Sequence, residues 1–157
     1  MLVVGIYDDP KAVVTVDGAK GCTNEEHRSH MSLWSLMAAP LLCGNDIRSM
    51  NAVTKEILLN PEIIAVNQDP LGKQAKRIRD DGDLEVFAKP LADGSWAIGL
   101  LNRSEKPATI KVSWDELGIS GSRNVRDLWE HKNLSQEGNA FESEVVVHGC
   151  KVIKISK

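Results

Sequence analysis

The feature that most constrains this chain is a change of hydrophobic period part-way along it. Between about residues 23 and 70 apolar residues recur at spacings of three and four, whereas from about residue 84 onward they form short alternating runs closed by glycine. The first period is that of an amphipathic helix and the second that of a strand, so no single type of layer accommodates both. The chain is read as two parts, helices then strands, meeting between about residues 72 and 83.

Local signals place the helices. Thr23-Asn24-Glu25-Glu26 is a capping box, in which the threonine hydroxyl and the glutamate carboxylate each satisfy an orphan backbone amide. The helix it starts runs to about Ala39, carries Met31, Leu33, Trp34, Leu36 and Met37 as an apolar stripe, and is stopped by Pro40. Asn51 caps a second helix, Ala52 to Leu59, and Asn60-Pro61 starts a short third one with Ile63, Ile64 and Val66 turned inward. Ahead of them, Met1-Leu2-Val3-Val4-Gly5 is an unbroken apolar run, the pattern of a strand covered on both faces. Such a strand needs neighbours on either side.

In the second part, Leu84–Ala88, Trp96–Asn102, Ala108–Trp114, Asn124–Trp129, Glu144–Val147 and Cys150–Ile155 read as strands, with Asp93-Gly94 as a hairpin turn. Short strands with turn signals every ten residues or so predict an antiparallel sandwich. Asp80-Asp81-Gly82-Asp83 resembles part of a calcium loop but has no glutamate at the twelfth position, and is read as a solvated turn.

Composition narrows the function. The 157 residues are 42 % hydrophobic and 26 % charged, which is ordinary for a folded chain. A net charge of −3 with no basic face argues against a nucleic-acid partner, including a helix-turn-helix built from residues 24 to 66. No segment approaches the roughly 20 apolar residues of a membrane-spanning helix, so no membrane partner is expected. Cys22, Cys43 and Cys150 are odd in number and far apart, a pattern that fits neither a disulfide framework nor a zinc site, and they are expected to be buried or half-buried thiols.

His27 and His30 share a helix face without an accompanying HExxH or cysteine pair, and are read as solvated helix residues. Ser29, Ser32 and Ser35 sit inside the same helix rather than on a strained elbow, which is weak ground for a nucleophile. Trp96, Trp114 and Trp129 offer core packing or sugar-stacking platforms, and core packing is the expectation. Asp8-Asp9-Pro10 directly follows the apolar strand, where α/β enzymes place their chemistry, although aspartate before proline is equally the signature of a plain turn. Unaided, the residues contain no complete catalytic constellation.

Two stretches carry a resemblance. EEHRSHMSLWSLMAAPLLCGNDIRSM (Glu25–Met50) followed by IIAVNQDPLGKQ (Ile63–Gln74) closely resembles the melibiase-type α-galactosidases, a family of retaining glycoside hydrolases. The resemblance implies an α+β chain: the C-terminal end of a (β/α)8 barrel over residues 1–76, with Met1–Gly5 as its last strand, followed by an antiparallel β-sandwich domain over residues 77–157. It implies double displacement at an α-galactosyl bond by two aspartates, no metal or organic cofactor, and an α-galactoside as partner of the full-length enzyme.

In the family both aspartates lie on earlier barrel strands, so none of the residues here is expected to be catalytic, and this chain alone is expected to be inactive. An Asp-Pro-Asp-Met-Leu segment of the family runs into the same strand. Met1 is therefore expected to be an internal methionine lining the substrate, with Asp8 and Asp9 at the pocket mouth as further substrate-binding residues. With barrel neighbours absent, the face of residues 31 to 37 is expected to be exposed or covered by a borrowed partner, so that the chain aggregates, self-associates through that surface or keeps its order mainly in the sandwich. The alternative function is a non-catalytic carbohydrate-binding or structural β-sandwich module.

Overall fold

In a computed structural model of the chain the described residues are 2–5, 21–135 and 138–157. Helices α1 (Asn24–Leu36), α2 (Ala52–Leu59) and α3 (Pro61–Asn67) come first. Strands β1 (Lys76–Asp81), β2 (Leu84–Pro90), β3 (Trp96–Asn102), β4 (Ala108–Ser113), β5 (Asn124–Asp127), β6 (Lys132–Leu134), β7 (Ala140–Val145) and β8 (Cys150–Ser156) follow, with a 3-10 turn at Asp115–Leu117. All the paired strands among them are antiparallel.

The helix starts form as their caps dictate. Thr23 Oγ1 accepts from the Glu26 amide at 3.2 Å, and the Glu26 carboxylate accepts from the Thr23 amide at 2.6 Å. Asn51 caps α2 through the Thr54 amide, and Asn60 caps α3 through the amides of Glu62 and Ile63. Helix α1 ends at Leu36, short of the predicted Ala39. A residue before proline disfavours the helical conformation, and the chain leaves through Met37 and a left-handed Ala38, φ 52°.

The sheet of order β1-β2-β3-β8-β5-β6 is covered on both faces. Side chains alternate across it. On β3, Ala97 and Leu101 pack with Cys150 and Val152 of β8 against Met31 and Leu36 of α1. Ile98 and Leu100 point the other way, into a cluster with Ile153 and Ile155 of β8 and with Ile110, Val112, Phe141 and Val145 of the β4–β7 pair. Double coverage explains why Trp96–Asn102 reads as a nearly continuous apolar run. At Gly99 an added Cβ would lie 2.4 Å from Leu36 Cδ1, so Leu36 occupies the space a side chain would need.

This packing decides between the two alternatives for the face of residues 31 to 37. The stripe at 31 to 37 is not bare: Met31 and Leu36 are each 1 % exposed, while Met37 at 42 % projects outward. The sandwich supplies the partner that the stripe needs. Two further differences concern strands. β1 was not apparent as a strand in the sequence, because Lys76-Arg77-Ile78-Arg79-Asp80-Asp81 is a charged edge held by its pairing with β2. β7 starts at Ala140 and stops at Val145, ahead of the predicted Glu144–Val147, because Val146 to Gly149 forms the turn into β8.

The N-terminal segment is corrected as well. Leu2 pairs in parallel with Cys43, its amide donating to Leu42 O and its carbonyl accepting from the Gly44 amide, both at 2.8 Å. Leu2 and Cys43 thus meet in a single parallel bridge, with helix α1 between them in the chain, and Val4 and Gly5 already form a turn. The segment at Leu2 is therefore not the last extended piece of the barrel portion among the described residues, since a second one, at Cys43, follows α1. Its sequence signal is small, because Leu41-Leu42-Cys43-Gly44 is confined between Pro40 and the Asn45-Asp46 turn.

Candidate functional site

A parallel pair brings the carboxyl ends of both segments to one side, the side on which α/β barrels carry chemistry. Met1, Asp8 and Asp9, the expected substrate-lining residues, lie outside the described residues. The described part of this edge consists of Gly5 and the turn Asn45–Arg48. Gly5 has φ 91°, and a Cβ on it would lie 2.7 Å from Thr54 Cγ2, so α2 seats closely against this turn. Asn45 turns both polar atoms of its carboxamide inward, where they meet no hydrogen-bond partner among the described residues.

Asp46 and Arg48 are locked to each other. Asp46 Oδ1 accepts from the Arg48 amide at 3.0 Å and from Nε at 2.9 Å, while Oδ2 accepts from Nη2 at 3.1 Å. The guanidinium holds the Asp46 carboxyl below the usual carboxylate range, and the carboxylate raises the pKa of Arg48. Asp46 therefore stays ionised with its lone pairs occupied, organising the turn.

The Asn67–Gly72 motif is a joint between the two parts. Asn67 Nδ2 donates to Ala39 O at 2.8 Å, closing the end of α1, and its Oδ1 accepts from Gln68 Nε2 at 2.7 Å. The Asp69 carboxylate accepts from the Leu71 amide at 3.0 Å and from the Ala92 amide in the β2–β3 turn at 3.1 Å. Buried Lys89 donates to Lys73 O at 2.7 Å, and burial pulls its pKa down. These polar groups tie the last helix and the segment after it to the β2–β3 hairpin.

A cleft of about 620 Å³ opens between the start of α1 and the sheet, lined by Thr23, Arg28, Asp127, Trp129, His148 and Lys151 among others. Buried Asp127 accepts from the amides of Trp129 and Glu130 at 2.9 and 3.0 Å and pairs with Lys151 at 2.7 Å. The Trp129 indole donates to Ser32 Oγ at 2.9 Å, and that hydroxyl donates to Arg28 O at 2.7 Å. A hydroxyl bound in this way is a structural link, and no base among the described residues stands ready to activate it. Asp127 and Lys151 stand outside the residues the sequence singles out, whereas Asn45 lies in the Glu25–Met50 stretch that carries the resemblance. For Asp127 the Asp127-Leu128-Trp129 spacing, an Asx turn leaving a strand, is the available signal.

Other sequence expectations are revised here. His27 is buried rather than solvated, because α1 is packed by the sheet and by α3 together. His30 is half-buried against Trp34, ring centroids 4.7 Å apart, and burial lowers its pKa. Cys22 and Cys43 are exposed rather than buried, whereas Cys150 is buried and its thiol is pushed up to about 12 by that burial. Of the three tryptophans considered as platforms, Trp114 is fully buried, and Trp96 and Trp129 are half-buried.

Two family models match the chain. The one described as alpha galactosidase A covers residues 3–69, and the one described as the alpha galactosidase C-terminal beta sandwich domain covers residues 81–155. An α-galactosidase of Cyamopsis tetragonoloba is 45 % identical over 150 residues, which take in 94 % of this chain and 36 % of the relative. Alpha-galactosidase 3 of Arabidopsis thaliana is 45 % identical over 152 residues, 93 % of this chain and 34 % of the relative. The crystal structure of α-galactosidase I from Mortierella vinacea superposes with a TM-score of 0.83 at 35 % identity, over 89 % of this chain and 37 % of that one. The chain thus spans about a third of the length of the curated relatives it matches. It belongs to the melibiase-type α-galactosidase family and corresponds to that family's C-terminal portion, the end of the barrel followed by the β-sandwich.

Proposed function

We propose that this chain is the C-terminal portion of an enzyme that hydrolyses terminal α-galactosyl residues with retention, and that it has no turnover on its own. The observation that carries this reading is the 45 % identity to a named α-galactosidase over 94 % of the chain. Retaining hydrolysis needs two carboxyl groups about 5–5.5 Å apart, one as nucleophile and one as acid and base. The family resemblance assigns both to barrel strands earlier than residues 2–5. In the whole enzyme residues 1–76 complete the barrel, Met1, Asp8 and Asp9 line the substrate at its rim, and residues 77–157 form the sandwich domain. No metal or organic cofactor enters this reading. Leu42, Ile47 and Leu59, each about two-thirds exposed, support self-association when this portion stands alone.

Only interactions realised in the transition state accelerate the chemical step, so a chain without both carboxylates has nothing to lower the barrel enzyme's barrier. Incubated with a nitrophenyl α-galactoside, the chain is expected to release nitrophenol no faster than buffer. Robust turnover that survives Asp8→Asn and Asp9→Asn would place the catalytic machinery within this chain and overturn the reading.

A further inference from the structure

His148 stands at the corner between β7 and β8 in a left-handed conformation, φ 53°, and its carbonyl accepts from Ser29 Oγ at 2.7 Å. The corner is thereby held against α1. Nδ1 of its ring lies 2.9 Å from Glu26 Oε1, and Nε2 lies 3.3 Å from Glu105 Oε1. Both nitrogens therefore face carboxylates, and an ionised carboxylate only accepts. A neutral imidazole has one N–H and one lone pair, so in either tautomer one of the two carboxylates meets a lone pair. The imidazolium alone donates to both.

We propose that His148 is a pH-operated clamp: protonated, it ties Glu26 of α1 to Glu105 of the β3–β4 loop and holds the start of α1 against the sandwich, and deprotonated it releases one side of that bridge. Its side chain is 36 % exposed, so protons reach it without unfolding. The cations of the adjoining cleft are engaged elsewhere, Arg28 with Glu25 and Glu56 at 2.6 and 3.0 Å and Lys151 with Asp127 at 2.7 Å. Glu130 and, on β7, Glu144 complete the acidic lining of the cleft. His131 contrasts with this arrangement. It offers Nδ1 to Glu62 at 2.6 Å, a bond that the neutral Nδ1–H tautomer already satisfies.

Electrostatics set the working range. Glu26, and then Glu105, hold the pKa of His148 above its ordinary 6.5, while the Thr23 amide first, with His148 contributing, holds that of Glu26 below its ordinary 4.5. A raised histidine contributes stability that is complete below its unfolded value and lost as pH rises through the folded one; a lowered glutamate contributes stability that is lost as pH falls through its folded value. The clamp is therefore fully closed between about pH 4.5 and pH 6.5 and opens as pH rises through the raised folded value of His148.

The test is an NMR titration of the His148 ring in the full chain, together with thermal unfolding at about pH 5.5 and about pH 8. The wild-type midpoint is expected above 6.5 and moves down in Glu105→Gln. Asparagine tolerates the left-handed corner, so His148→Asn removes the titration without straining the turn. In that variant the loss of Tm between the two pH values is expected to shrink by roughly 2 °C. A midpoint at or below the ordinary value and unmoved by Glu105→Gln, or an undiminished loss of Tm in His148→Asn, overturns the proposal.

Discussion

Replacing Trp114 by alanine is expected to destabilise the chain by about 3–5 kcal/mol, the range for deleting a buried aromatic side chain. Trp114 follows β4 directly and is fully buried among Ile98, Leu100, Val112, Phe141 and Ile153. Its amide donates to Asn139 O at 2.8 Å, and its carbonyl accepts from the Leu117 and Ile119 amides at 3.1 and 3.0 Å, so the backbone around the ring is fixed and has little freedom to collapse into the void. Its indole N–H is buried without a hydrogen-bond partner among the described residues, so Trp114→Phe removes an unsatisfied donor along with some volume and is expected to cost less than the alanine variant. Urea unfolding followed by far-UV circular dichroism measures both. A cost below about 1 kcal/mol for the alanine variant would show that the ring is not part of the core. The sugar-platform reading does not hold for this residue, since a fully buried ring presents no face to a ligand.

The second large effect is expected at Asp127. Its carboxylate takes two backbone amides at the exit of β5 and the Lys151 ammonium, all while buried. Alanine leaves those amides and the ammonium without their acceptor. Breaking a fully buried pair costs about 3–5 kcal/mol, and because Lys151 retains 24 % exposure the expectation here is lower, about 2–4 kcal/mol. Asp127→Asn keeps an acceptor for the amides and loses only the charge pairing, so it should fall between wild type and Asp127→Ala in the same urea experiment. Equal stability of Asp127→Ala and wild type would mean that water replaces the carboxylate at no cost. Because Asp127 shapes the turn carrying Trp129, whose indole reaches Ser32, loosening it also loosens a link between sandwich and helix.

The elements legible in the sequence are those whose cause is local. Thr23 with Glu26, Asn51, and Asn60 with Pro61 each satisfy amides within three residues, and the three helices start where these caps stand. Trp96–Asn102 and Cys150–Ser156 were legible because both faces of the sheet are covered, which leaves few polar positions to obscure the pattern. Elements held by distant partners were not legible. β1 owes its extended state to β2 and to cross-strand ion pairs such as Arg77 with Glu85 at 2.8 Å, which its own composition does not announce. Residues 42–44 owe theirs to a single parallel partner at Leu2. At His27 the sequence points to solvent because one apolar stripe marks one buried face, whereas α1 is packed by the sheet, α2 and α3.

The candidate site divides in the same way. The Asn67–Gly72 motif carried the family resemblance, and its polar groups prove to be a joint between helix and hairpin. His148 and Asp127 work through partners from other elements, so no window of sequence around either one shows what it does.

The central structural claim is that the end of the barrel and the sandwich form one unit through the core shared by α1, β3 and β8. Native-state hydrogen exchange on the full chain tests it directly. Amides of α1 from Met31 to Leu36 are expected to be protected as strongly as those of β3 and β8 and to open together with them. Strong protection confined to the sandwich, with α1 exchanging freely, would contradict the account.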